Sequence, residues 1–143
     1  MLEGCAPLDL IILMLGTNDC KKRFSLDPWD IGWGMDLLIQ YVKRSACGRD
    51  GNAPDILVVS PPAMGDEWDK TSLGTVIGEG ATRRARALPA IYKEIADRNG
   101  VFYFDAALHA KAEKDSVHLT IESHRRLGRA IAAKVAGILE PVR

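Results

Sequence analysis

The sequence predicts an α/β fold built on a parallel sheet, and three observations lead there. Apolar runs at Leu8 to Leu15 and Asp55 to Ser60 end at turn signals, Gly16 and Pro61-Pro62. Stretches with helical spacing of apolar residues stand between and after them. The resulting order is strand, helix, strand, helix, strand, helix, which suits parallel strands joined by right-handed crossovers. The 143 residues read as one domain, 1–143, with neither repeats nor low-complexity segments.

The first run, Leu8 to Leu15, is almost continuously apolar. Such a run bounded by a turn reads as a strand buried on both faces. A helix should start near Ser25 to Asp30. Asp27 suits the N-cap, Pro28 the first helical position, and Asp30 the positive helix end. Ile31, Met35, Leu38 and Val42 then define its buried face. Gly32 and Gly34 each cost ~1 kcal/mol inside a helix, so close packing or fraying is expected there. Trp29 and Trp33, four apart, read as packing or interface residues.

Residues 47–54 form a Gly/Asp/Asn-rich loop before the second strand. After Pro62 the segment from Ala63 to Gly80 has little periodicity, which suits a functional or a disordered loop. Ala81 to Arg98 is helical again through Ala85, Leu88, Tyr92 and Ile95, with a kink expected at Pro89 and a stop at Asn99-Gly100. Val101 to Phe104 is a third short strand. The last helix takes Thr120 as N-cap and Leu127, Ile131, Val135 and Ile138 as its face.

Composition removes several function classes. Nineteen Lys and Arg balance nineteen Asp and Glu, so there is no electrostatic case for nucleic acid or an anionic membrane. The local pairs Arg83-Arg84 and Arg125-Arg126 read as solvated faces. No apolar stretch reaches the ~20 residues of a membrane span, and Glu3 and Asp9 interrupt any signal-peptide pattern. Three cysteines, Cys5, Cys20 and Cys47, lack metal-type spacing, which suits reduced thiols in a cytoplasm. No G-x-G-x-x-G or G-x-x-x-x-G-K-[ST] follows a strand, which weighs against a nucleotide- or flavin-binding domain.

Two short motifs remain. Gly16-Thr17-Asn18-Asp19 follows the first strand, and Asp115-Ser116-Val117-His118 precedes the last helix. Taken singly, each is as well explained as a structural turn. Their placement is more telling, because residues beyond the carboxyl ends of parallel strands gather on one rim, where sites form. A rim histidine can act as a general base. A carboxylate three residues earlier can hold its Nδ1 proton, and an asparagine amide can stabilise an oxyanion. His109 and His124 read as surface groups beside helices.

The text L-D-L-I-I-L-M-L-G-T-N-D-C-K (Leu8 to Lys21), I-L-V-V-S-P-P (Ile56 to Pro62) and D-S-V-H-L (Asp115 to Leu119) resembles the SGNH (GDSL-type) serine hydrolases, above all their bacterial arylesterase and acyltransferase branch. The resemblance implies a flavodoxin-like three-layer α/β/α sandwich with a parallel sheet. It implies Asn18 as oxyanion-hole donor, Gly16 as its turn glycine, His118 as catalytic base and Asp115 as orienting acid. A small carboxylic ester would be the substrate, and neither cofactor nor metal is required.

The family opens with a strand ending in G-D-S, whose serine is the nucleophile, and nothing before Leu8 matches it. The family's N-terminal strands and helices are therefore expected to be absent, with Met1 inside a longer reading frame and this chain inactive alone. Ser60, which ends a strand on the same rim, is the candidate substitute, although the family uses that position otherwise. The uncovered first strand, or the 63–80 segment, is expected to make homo-oligomers. A non-catalytic oligomerisation or binding domain is the alternative.

Overall fold

A computed structural model describes residues 2–139. Three parallel strands, β1 (Leu10–Leu13), β2 (Asp55–Ser60) and β3 (Phe102–Asp105), lie in the order β1-β2-β3. Ile11 pairs with Ile56, and Leu57 with Phe102. Four α-helices accompany them: α1 (Pro28–Lys43), the short α2 (Gly74–Ile77), α3 (Ala81–Asn99) and α4 (Ile121–Leu139).

The pleat sends alternate residues of each strand to opposite faces, and two cores result. Ile56 and Val58 face α1 and α3 with Met35, Ile39, Leu88 and Ile95. Leu57 and Val59 face α4 with Leu127, Ile131, Val135 and Ile138. This is the three-layer α/β/α arrangement, and β2, covered on both sides, is its centre. A hydrogen-bonded strip joins α1 to α3. Asn99 donates to Asp36 Oδ1 and accepts from Gln40 Nε2, both at 2.6 Å, and its carbonyl takes Lys43 Nζ at 2.7 Å.

Helix starts follow the residues named for them. The Asp27 side chain accepts from Trp29 N at 3.1 Å, and Asp30 returns a bond to Asp27 N at 2.8 Å. Thr120 Oγ1 accepts from Ser123 N at 3.2 Å at the start of α4. The helix α3 ends at Gly100 (φ 63°), whose N–H reaches back to Ala96 and Asp97, and it runs unbroken through Pro89. Gly32 is where α1 meets α3: a Cβ there would lie 2.5 Å from Ile91 Cγ2, whereas Gly34 faces open space.

Several expectations need correction. The strand expected over Leu8 to Leu15 is only four residues long and is not buried on both faces; Ile12 is 43% exposed. As an edge strand it has one neighbour in the sheet. Its ends are held otherwise, Leu8 N donating to Cys47 O at 2.7 Å and Leu15 O accepting from the Tyr92 hydroxyl at 3.1 Å. Leu38 is exposed rather than on the buried face of α1.

The 63–80 segment is tied down rather than loose. Trp68 Nε1 donates to Thr82 Oγ1, which donates to Gly65 O, each at 3.0 Å. Its own Met64 and Ile77 are buried in the core. Arg84 is not on a solvated face: it is buried, donating from Nε to Cys20 O at 2.8 Å and from Nη2 to Glu79 O at 3.0 Å.

Candidate active site

The carboxyl ends of β1 and β2 and the loop before α4 meet at a cleft of about 270 Å³. Met14, Thr17 and Asn18 line it from the first turn, Pro61 and Pro62 from the end of β2, and Val117, His118, Leu119 and His124 from the far side. Asn18 and His118, 100 positions apart in sequence, therefore share one cavity. Each crossover carries the chain back to the amino end of the next parallel strand, so the loops leaving the carboxyl ends collect residues distant in sequence on one rim.

The asparagine reaches the cleft because the chain turns at Gly16. Its φ of 114° lies in the region that favours glycine. A Cβ there would also collide with the Tyr92 hydroxyl and lie 3.1 Å from Leu88 Cδ1. Beyond it Cys20 N closes on Gly16 O at 3.3 Å and Lys21 N on Asn18 O at 3.2 Å, leaving the Asn18 side chain exposed at the tip. Burial pushes the Cys20 thiol up to about 11.

The histidine is held by a compact local motif. One oxygen of Asp115 accepts the amides of Val117 (3.1 Å) and His118 (2.7 Å), a turn in which an aspartate side chain caps the following backbone. Its other oxygen lies 2.7 Å from His118 Nδ1. A carboxylate accepts and does not donate, so Nδ1 carries a proton, and in the neutral ring Nε2 is the nitrogen left with a free lone pair. The His118 ring bond and then its amide hold the Asp115 carboxyl down at about 2. The imidazole remains 61% exposed, accessible to a ligand in the cleft.

The motif is braced from outside. Ser116 adopts a positive φ of 64°, and its carbonyl accepts Gly65 N at 2.8 Å. A Cβ on Gly65 would stand 2.9 Å from Ser116 Oγ, so a small residue lets the two loops meet. The 63–80 segment thus supports the site from behind rather than lining it.

Ser60 is not brought to His118. It is fully buried, its hydroxyl donating to Asp105 Oδ1 at 3.1 Å and lying 2.9 Å from the Tyr103 hydroxyl. Burial raises the Tyr103 phenol. Among the described residues no serine, threonine or cysteine side chain bonds to His118, and no group of three His, Cys, Asp or Glu side chains is gathered to hold a metal ion. Sequence reading missed Pro61, Pro62, Leu119 and His124 as cleft walls. The two prolines directly behind β2 could have signalled it, since they too sit at a strand's carboxyl end.

The GDSL-like lipase/acylhydrolase family model matches residues 2–126. The chain belongs to that family. Among solved structures it resembles the aryl esterase of M. smegmatis, with TM-score 0.86 and 36% identity over 96% of this chain and 66% of that one. A carbohydrate acetylesterase from Sinorhizobium meliloti gives TM-score 0.84 and 38% identity over 93% of this chain and 62% of that one. A lipase/acylhydrolase from Enterococcus faecalis, TM-score 0.65 and 14% identical, shares the fold. The chain spans a little under two thirds of the length of these relatives. No curated protein matches it.

Proposed function

We propose that this chain carries the base, the orienting acid and the oxyanion donor of a serine hydrolase acting on small carboxylic esters, with the nucleophile supplied by sequence outside it. The observation that carries the proposal is the Asp115–His118 pair facing Asn18 across one cleft. Esterase names among the related structures support the substrate class.

In this mechanism His118 Nε2 removes the serine proton as the serine oxygen attacks the ester carbonyl. The oxyanion accepts a hydrogen bond from the Asn18 amide, a contact worth ~3 kcal/mol in related chemistry. Asp115 stabilises the imidazolium without taking its proton. The imidazolium then protonates the departing alcohol, leaving an acyl-serine. Water repeats the cycle, giving up a proton to His118 and releasing the carboxylic acid and the serine.

The segment expected to bring the serine, a strand ending in G-D-S, would pair along the outer edge of β1. Exposed Ile12, Met14 and Leu15 support that placement, as does a neighbouring groove of about 400 Å³ lined by Leu15, Leu26, Ile31, Met35, Leu38 and Tyr92. The same exposed edge supports self-association of the chain when nothing else covers it.

Fluorophosphonate labelling of the purified chain, read by peptide mass, tests the proposal. No adduct is expected on the chain alone, and joining it to a strand bearing G-D-S should create a labelled serine and esterase activity that His118→Ala removes. An adduct on Ser60, lost in His118→Ala, would overturn the external nucleophile. A joined protein that folds but neither labels nor hydrolyses esters would favour a non-catalytic binding or oligomerisation domain.

A further inference from the structure

We propose that His124 is a specificity residue of the cleft, the hydrogen-bonding contact for a hydroxyl that the ester carries away from its scissile carbonyl. Acylated polyols would then bind in preference to plain alkyl esters. The inference rests on the reading of the cleft as an ester site, and it assigns a role to a side chain which that mechanism leaves unused.

Two imidazoles line the cavity, and their situations differ. The ring of His118 is committed through Nδ1 to Asp115. The ring of His124 makes no hydrogen bond or ion pair with any described residue; only its backbone is engaged, donating to Thr120 O at 2.9 Å. Its backbone is nonetheless held in place, because it sits in the first turn of the 19-residue α4. One face of that turn is anchored by buried Ser123, bonded to Thr120, Glu113 and Arg126. A rigid helix thus presents to the cleft an exposed, hydrated ring that no described protein group engages.

The rest of the wall is poor in polar groups. Met14, Pro61, Pro62, Val117 and Leu119 offer side chains without strong donors or acceptors. Asn18 and His118 are assigned to the reacting carbonyl and the serine, so Thr17 and His124 are what remain. A neutral imidazole offers one donor and one acceptor, and a hydroxyl can satisfy either. An alkyl group in the same place would instead strip the ring of water without replacing its bonds, which disfavours binding.

The chain has three histidines, so histidine ring signals in NMR can each be assigned with single His→Ala variants. The purified chain is titrated with glycerol monoacetate and, separately, with propyl acetate. Both are expected to move the His118 signal, and only glycerol monoacetate the His124 signal. His124→Ala should weaken glycerol monoacetate about fivefold, the worth of one net hydrogen bond, and leave propyl acetate unchanged; His124→Gln should recover part of the loss. A His118 response without a His124 response overturns the assignment, as does equal weakening of both esters by His124→Ala. Silence of His118 toward both esters refutes the ester cleft itself, and the assignment with it.

Discussion

The Tyr92 hydroxyl occupies the space a side chain would need at Gly16 and donates to the carbonyl of Leu15, one residue earlier. A residue deep in α3 therefore shapes the turn that delivers Asn18 to the cleft. Burial raises the Tyr92 phenol, which keeps it protonated and able to donate.

Gly16→Ala should destabilise the chain by about 2 kcal/mol or more, since it combines a strained φ with a collision. Tyr92→Phe alone should cost about 1 kcal/mol for the lost bond to Leu15. The double variant should cost less than the two singles added together, because Phe removes the atom that Ala meets. Urea unfolding of the four proteins completes the cycle, and simple additivity would mean that the contact does not shape the turn.

Asp115 makes the site loop sensitive to acid. Its folded value of about 2 lies below the ordinary carboxylate value of about 3.9. The carboxylate therefore contributes stability that is complete above the ordinary value and is lost as the pH falls through the folded one. The protection of the Val117 and His118 amides, taken against their intrinsic exchange rates, should fall between about pH 4 and pH 2. In Asp115→Asn that protection should be low throughout the window, and wild-type protection unchanged at pH 2 would contradict the assignment.

In the protein joined to its nucleophile segment, Asp115→Asn should reduce kcat by about 10³ to 10⁴-fold. The amide no longer fixes the tautomer with Nε2 free or stabilises the imidazolium. Steady-state hydrolysis of an aryl acetate measures this, with KM nearly unchanged.

Arg84 holds two carbonyls, those of Cys20 and Glu79, from within the core. Replacement by Met leaves both without that donor and should cost about 2 to 4 kcal/mol. The turn behind Asn18 should loosen as well. Cys20 reports this directly, because the native thiol is buried and raised to about 11. With a disulfide reagent at pH 8 the native chain should titrate one thiol rapidly, exposed Cys5, and all three when unfolded. Arg84→Met should bring a second.

The edge of β1 carries no charge along Leu10 to Leu13, and uncovered apolar edges recruit other strands. Ile12→Lys should reduce concentration-dependent association of the chain in size-exclusion chromatography while leaving its helical content intact. Unchanged association would point away from β1 and toward the 63–80 segment.

Local chemistry made much of this protein legible in sequence. Asp27-Pro28 and Thr120 start helices, Asn99-Gly100 ends one, and the alternation of runs orders the layers. Those signals act within a few residues, so they survive in any fold. The spacing within Asp115-Ser116-Val117-His118 likewise encodes a carboxylate folded back on its own histidine. What the sequence alone could not settle is whatever depends on distant partners. A four-residue β1 follows from Tyr92 and Cys47 taking over its flanking backbone bonds. Ser60 points into the core because Tyr103 and Asp105 bond it there, and Arg84 is buried because two carbonyls await it. His124 becomes a cleft wall only because α4 returns to the rim that β1 and β2 define. Burial, exposure and the sharing of a cavity are properties of the assembled layers, and only the tertiary structure decided them.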